Sequence, residues 1–319
     1  MRPPGAQGIP DPARRPGGGS RKPPWLAVRM PGGERYRQVR GALAAGGLHT
    51  VCEEARCPNA AQCWEAGTAT FLILGDVCTR GCAFCAVSRG KPAGDSADAQ
   101  GEAVRVAGAV ARLGLDYAVV TSVTRDDLPD GGASAFAATV AHLRALAPAP
   151  LVEVLIPDYT GPALDTVLAA APHVLAHNVE VVERLTARLR HPRFGYRRSL
   201  QVLSEARERA PAVLTKSSIL LGLGETRDEV IQTMVDLRRA GVEILALGQY
   251  LQPTRAHAPV VEYLTPEVFA ALAEEGRRMG FGYVAAGPLV RTSYRAAEAY
   301  ARRRAVGGPP ASAPPPARV

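Results

Sequence analysis

Six short runs rich in β-branched and aliphatic residues recur along the chain, at 70–74, 117–123, 151–156, 173–178, 213–221 and 243–247, each followed by a stretch of helical pattern. Strands separated by helices are joined by crossovers rather than hairpins, so they assemble as parallel βαβ units with the helices covering the sheet. Two helix starts are explicit. Thr226 and Glu229 stand at capping-box spacing before a helix expected to run to about Ala240, and Thr265 followed by Pro266 and Glu267 opens another. The expected fold is α/β, a partial (β/α)6 barrel of TIM type; an eight-unit barrel would need two further units. A doubly wound sheet is the alternative, but no Gly-x-Gly-x-x-Gly follows the first strand as a dinucleotide site requires.

With 319 residues the chain can bury one large core. Residues 1–22 and 307–319 are Pro/Gly-rich and expected to be disordered tails. Between them the expected division is an N-terminal extension at 23–68, the barrel at 69–264 and a C-terminal extension at 265–306. The net charge is +8, but Lys22, Lys91 and Lys216 are the only lysines, so the positive charge is nearly all arginine in an Ala/Gly/Pro-rich chain. That pattern argues compositional bias rather than a nucleic-acid partner. No stretch approaches the roughly 20 apolar residues of a membrane span, and the amino terminus lacks a signal-peptide core, so the chain reads as cytoplasmic, with no membrane partner.

All six cysteines lie between positions 52 and 85, in two triplets: Cys52, Cys57, Cys63 and Cys78, Cys82, Cys85. In a reducing compartment clustered cysteines mean metal more often than disulfides. Three thiolates hold three irons of a cubane cluster and leave the fourth iron to another ligand. The second triplet follows the first expected barrel strand, at the strand end where barrel enzymes carry their chemistry. Zinc would want a fourth Cys or His nearby, which the loop lacks. A thioredoxin-like reading of Cys82-Ala-Phe-Cys85 leaves Cys78 without a purpose.

Cys78-x3-Cys82-x2-Cys85, with Phe84 before the last cysteine, resembles the signature of radical S-adenosylmethionine enzymes. The resemblance implies a 4Fe–4S cluster whose open iron binds S-adenosylmethionine, with reductive cleavage to a 5′-deoxyadenosyl radical. Phe84 would lie near the adenine or the cluster; plain core packing is the competing role for such an aromatic. The x4/x5 spacing of Cys52, Cys57 and Cys63 is not general to that superfamily and implies a second 4Fe–4S cluster, whose fourth ligand cannot be cysteine.

With Arg291-Thr292-Ser293-Tyr294 near the carboxyl end, the pattern is similar to one family, the lipoyl synthases, which carry Arg-Ser-Ser-Tyr there. Thr121-Ser122-Val123-Thr124-Arg125-Asp126-Asp127-Leu128, Asp130-Gly131-Gly132, His177-Asn178-Val179-Glu180, Gly222-Leu223-Gly224-Glu225-Thr226 and Leu247-Gly248-Gln249-Tyr250-Leu251-Gln252-Pro253 also look like that family, so the similarity covers about residues 23–303. The resemblance implies a serine hydroxyl on the auxiliary cluster; Ser293 takes that role here, although Thr292 also offers an oxygen. Without the family, Ser293 would read as a helix cap. An alkoxide is a harder ligand than thiolate, so its iron should leave first from a cluster consumed as sulfur donor.

The implied reaction inserts two sulfurs, at C6 and C8 of an octanoyl chain amide-linked to a lysine of a lipoyl carrier domain, either a 2-oxoacid dehydrogenase E2 or a glycine-cleavage H protein. A reduced ferredoxin- or flavodoxin-type protein would supply electrons. Gly131, Gly132 and Asn178 are candidate S-adenosylmethionine contacts, with a turn and a strand-end cap as the competing roles. His49, His173, His177, His191 and His257 do not cluster in sequence, and Glu180 and Glu183 read as the start of a solvated helix. Two competitors are weighed. A biotin synthase-like enzyme leaves the first triplet unexplained, and a two-cluster electron carrier would not need six βα units.

Overall fold

The computed structural model describes residues 22–28, 32–65, 69–92, 98–293 and 300–301. The tails expected at 1–22 and 307–319 lie outside these residues, Lys22 excepted. The strands are β1 (His49–Thr50), β2 (Thr70–Ile73), β3 (Val77–Cys78), β4 (Ser88–Arg89), β5 (Tyr117–Ser122), β6 (Leu151–Leu155), β7 (Val174–Ala176), β8 (Leu214–Leu221), β9 (Ile244–Gln249) and β10 (Tyr283–Gly287). The α-helices are α1 (Glu34–Ala45), α2 (Val51–Glu54), α3 (Ala60–Glu65), α4 (Ala99–Leu113), α5 (Ala133–Arg144), α6 (Pro162–Ala169), α7 (Glu183–Leu189), α8 (Tyr196–Arg209), α9 (Arg227–Arg239) and α10 (Pro266–Arg278).

One sheet runs in the order β1-β2-β5-β6-β7-β8-β9-β10, and every pair from β2 onward is parallel. Sequential order with a helical crossover at each step is the partial-barrel topology expected from the alternating pattern. The six expected strands are all present. A seventh parallel strand, β10, pairs Tyr283 with Ile244 through Gly287 with Gly248, inside the segment read as a C-terminal extension. Its sequence, Tyr-Val-Ala-Ala-Gly, carries two alanines and a glycine and is only partly buried, so it lacks the bulky aliphatic run that marks the others. At the opposite edge β1 pairs antiparallel with β2, His49 with Leu72 and Thr50 with Phe71. Among the described residues β1 and β10 are not paired with each other, so the barrel is open along that seam.

The strands carry buried residues on both faces because helices cover one face and the barrel interior fills the other. Ala118, Val120, Val152 and Val154 pack outward against α4, α5 and α6, while Leu245 and Leu247 pack with residues of α9 and α10. On the concave face Tyr117, Val119, Val174, Leu214 and Ile244 close over Tyr300 and Ala301, which plug the end opposite the mouth. Above that plug lies a buried ion pair, with Lys216 Nζ at 2.8 and 2.9 Å from the Glu153 carboxylate, which also accepts from Tyr117 Oη at 2.7 Å. The α9 start is the expected capping box: Thr226 Oγ1 accepts from Glu229 N–H at 3.3 Å and Glu229 Oε2 accepts from Thr226 N–H at 2.8 Å.

Candidate active site

The Cys78–Cys85 loop leaves β3 at the mouth of the barrel and is tied down from three sides. Thr79 N–H donates to Thr124 O at 3.0 Å, Ala83 N–H to Leu189 O at 2.8 Å, and Ala83 O accepts from Ala258 N–H at 2.8 Å. His257 Nε2 contacts Cys85 O at 3.1 Å. Backbone N–H groups aim at the sulfurs: those of Arg80 and Thr124 at Cys78 Sγ, and that of His191 at Cys82 Sγ, each at 3.4 Å. Donors directed at sulfur stabilise thiolate charge and tune a metal centre. Arg80, inside the loop, forks onto Asp126 at 2.7 and 2.9 Å and reaches Asp158 at 2.8 Å. That fork holds the Asp126 carboxyl down at about 2.

The first triplet is built on the N-terminal extension. Cys52 lies in α2, whose first turn is capped by Thr50 Oγ1 accepting from Glu53 N–H, and Cys63 lies in α3. Cys57 sits between them, its N–H donating to Cys52 O at 3.0 Å. Asn59, buried between Cys57 and Cys63, donates from Nδ2 to Leu289 O at 2.5 Å across the open seam. Val290 O closes against Gly248 so tightly that any Cβ there would collide with it. Arg291 is half-buried near Cys57: desolvation lowers its pKa, and the Cys57 sulfur opposes that shift. Thr292 Oγ1 accepts from Asn178 Nδ2 at 2.9 Å. The C-terminal motif and the first triplet therefore meet beside the mouth, and Ser293 follows a threonine whose hydroxyl is already engaged. Tyr294 lies outside the described residues.

All six cysteines are free thiols. Burial, then Cys57, pushes Cys52 up to about 11; burial, then Cys82, Glu180 and Cys78, pushes Cys85 up to about 12. Thiols held this way are inert as nucleophiles and need a metal to draw off their protons. Among the described residues no three cysteine sulfurs lie within 4.8 Å of one another. Tetrahedral zinc would bring its thiolates to ~3.8 Å. Three soft thiol donors per triplet, not gathered as tightly as zinc would hold them, fit a polynuclear iron–sulfur cluster at each triplet.

Gly131 and Gly132 adopt left-handed φ of 63° and 93° and turn the chain into α5, a side chain at Gly132 being blocked by Leu74. Gly131 lines a cavity of about 200 Å³ with Arg80, Asp126, Asp158 and Tyr159; Gly132 does not border it. Phe84 packs on the β8–β9 core, the competing role weighed for it.

Comparison with known proteins assigns the family. Residues 72–237 match the model of the radical SAM superfamily, and residues 11–57 match that of the N-terminal domain of lipoyl synthase of the radical SAM family. A lipoyl synthase of Anaeromyxobacter sp. is 54% identical over 91% of this chain and 99% of its own length. The chain belongs to the lipoyl synthase family. The Thermus thermophilus member is 53% identical over 91% of this chain and 88% of its own, and the mitochondrial lipoyl synthase 1 of Pisum sativum is 50% identical over 88% and 76%. The fold matches Streptococcus suis SuiB bound to S-adenosylmethionine (TM-score 0.53, 8% identity, 71% of this chain and 53% of that one). It also matches the hydrogenase maturase HydG (TM-score 0.52, 14% identity, 68% and 51%). As a radical S-adenosylmethionine lipoyl synthase, the enzyme works with 4Fe–4S clusters and S-adenosylmethionine.

The structure corrects the solvated-helix expectation for Glu180. Helix α7 begins at Glu183, which is exposed and paired with Arg197. Glu180 instead turns inward with a left-handed φ of 65°, accepts from Asn178 Nδ2 at 3.0 Å, and lies close enough to Cys82 and Cys85 to raise their pKa. Burial raises the Glu180 pKa, against the pull of Arg190. Arg190 stacks on Phe194 at 4.5 Å from the face that Arg80 shares at 4.2 Å. Spacing could not reveal these roles, because His191 reaches the second-triplet loop through its backbone from 109 residues away in sequence, and Arg190 acts on Cys82 only through its charge. His49, by contrast, does gather with Glu54 and Asp76, their ligand atoms all within 4.8 Å, at the joint between the extension and the second-triplet loop.

Proposed function

We propose that Cys78, Cys82 and Cys85 hold the radical-generating 4Fe–4S cluster and that Cys52, Cys57, Cys63 and Ser293 hold the auxiliary cluster consumed as sulfur donor. The observation that carries this reading is the meeting of 289–293 with the first triplet, through Asn59 and Leu289, at the same mouth as the second triplet. When bound, the cluster of Cys78, Cys82 and Cys85 and S-adenosylmethionine would supply a primary carbon radical strong enough to take hydrogen from an unactivated C–H bond. The protein's own work is placement: N–H donors hold the thiolates and the Arg80–Asp126–Asp158 network stiffens the loop. Gly131, Gly132 and the free Asn178 Oδ1 are the proposed contacts to S-adenosylmethionine, with Phe84 beside them.

The substrate in this reading is an octanoyl-lysine on a lipoyl carrier domain of a 2-oxoacid dehydrogenase E2 or a glycine-cleavage H protein, sulfurated at C6 and C8 with two molecules of S-adenosylmethionine. A reduced ferredoxin or flavodoxin supplies the electrons, and the setting is cytoplasmic; no helix among the described residues is long and apolar enough to cross a membrane. The division at 69 and 264 into extensions and barrel belongs to the same reading, with both extensions closing the mouth.

Anaerobic reconstitution with iron and sulfide, followed by assay on an octanoyl-lysyl peptide, tests it. About eight irons per chain are expected. Replacing Cys52, Cys57 or Cys63 by Ala should abolish sulfur insertion while 5′-deoxyadenosine is still formed. Loss of all cleavage in a folded variant whose Cys78–Cys82–Cys85 cluster is intact would contradict the division of labour.

A further inference from the structure

Asn178 stands between two partners with different attachments. Its Nδ2 donates to Glu180 Oε1 at 3.0 Å and to Thr292 Oγ1 at 2.9 Å, so both of its N–H donors are committed. Its Oδ1 is buried without a partner among the described residues, and the residue is 7% exposed. A buried amide oxygen left bare marks a place where a ligand donor completes the site.

The Glu180 end of this bridge is rigid. Its N–H donates to Ser218 O at 3.1 Å and its carbonyl accepts from Leu220 N–H at 2.7 Å, locking the left-handed turn to β8. The Thr292 end is carried on the segment that bears Ser293 and comes from 114 residues away. Two acceptors fix the plane of a carboxamide and therefore the direction of its oxygen; with Glu180 alone the amide can swing.

We propose that Thr292 is a positioning residue, a latch whose hydroxyl pins the Ser293 segment to the end of β7 and aims the Asn178 oxygen into the S-adenosylmethionine site. The inference rests on the Ser293 and Asn178 roles proposed above. It joins the sulfur-donor side of the mouth to the radical side through one shared amide. The hydroxyl is what matters: serine supplies the same acceptor, and valine, of nearly the same shape, does not.

The test compares T292V, T292A and T292S with the parent chain. In metal-free protein, amide hydrogen exchange over 289–293 should quicken roughly 2- to 10-fold in T292V and T292A, the factor equivalent of one net hydrogen bond, and stay at the parent rate in T292S. In reconstituted enzyme the 5′-deoxyadenosine formed per sulfur inserted should rise by a similar factor in T292V and return to the parent value in T292S. Parent-like exchange and coupling in T292V, or a T292S protein that behaves like T292V, would overturn the latch. S293A serves as the separate control. An unchanged auxiliary-cluster spectrum in S293A would remove the ligand assignment, and the exchange rates in metal-free chain would then decide the latch alone.

Discussion

His177 shows how burial rewrites a residue that the sequence leaves unassigned. Its Nδ1 meets Ile156 O and its Nε2 meets Ser199 Oγ, each at 2.9 Å, and burial followed by the nearby Arg190 pushes its pKa down to about 4. The ring is therefore neutral in the folded chain across the range where an unfolded chain takes up a proton. The unfolded state then binds more protons below the ordinary histidine value, so stability falls as pH drops from about 6.5 to about 4, by roughly 1.4 kcal/mol per pH unit at most. Urea unfolding of the metal-free chain between pH 7 and pH 5 should show that slope, and His177→Gln should flatten it. An unchanged slope in the variant would assign the acid sensitivity to another group. The two cysteine triplets, by contrast, stand out in the sequence by spacing alone. The residues around them do not, because Arg190, His191 and Asn59 act through burial and backbone donors that leave no periodic trace.

Among the elements, the helices with local signals were the readable ones. The Thr226/Glu229 box both predicts α9 and closes in the structure, with Glu229 held down at about 2 by Arg184. Thr226→Ala should cost about 1 kcal/mol in a chemical denaturation of the metal-free chain, a typical cap loss; no measurable loss would mean that Arg184 alone holds the turn. Strand β10 carried no comparable signal, since its two alanines and terminal glycine gain their strand character from β9. That is tertiary override of a weak local preference. The turn at Gly131-Gly132 is intermediate: the dipeptide announces a turn, but only the structure shows the left-handed φ of 93° that disfavours a side chain at Gly132, with Leu74 packed over it.

For the molecule as a whole, the buried Lys216–Glu153 pair ties β8 to β6 across the barrel interior, with both side chains almost fully shielded. Removing one partner strands the other, so Lys216→Met should destabilise the fold by about 3–5 kcal/mol, while Lys216→Met combined with Glu153→Leu should recover most of it. Denaturant midpoints for both variants check this; a double variant as weak as the single would mean that the pair contributes more than mutual neutralisation.

The Asn59–Leu289 bond across the seam also sets a timetable. A chain emerging from the ribosome offers the first triplet early, yet the carbonyl that steadies it comes 230 residues later. The tethers of the second-triplet loop, from Thr124, Leu189 and Ala258, are all in place before β10 is made. Under the proposed assignment, the half of the mouth that would generate the radical can thus be assembled before the half that would supply sulfur, and a chain cut short after α10 would retain the first without the second.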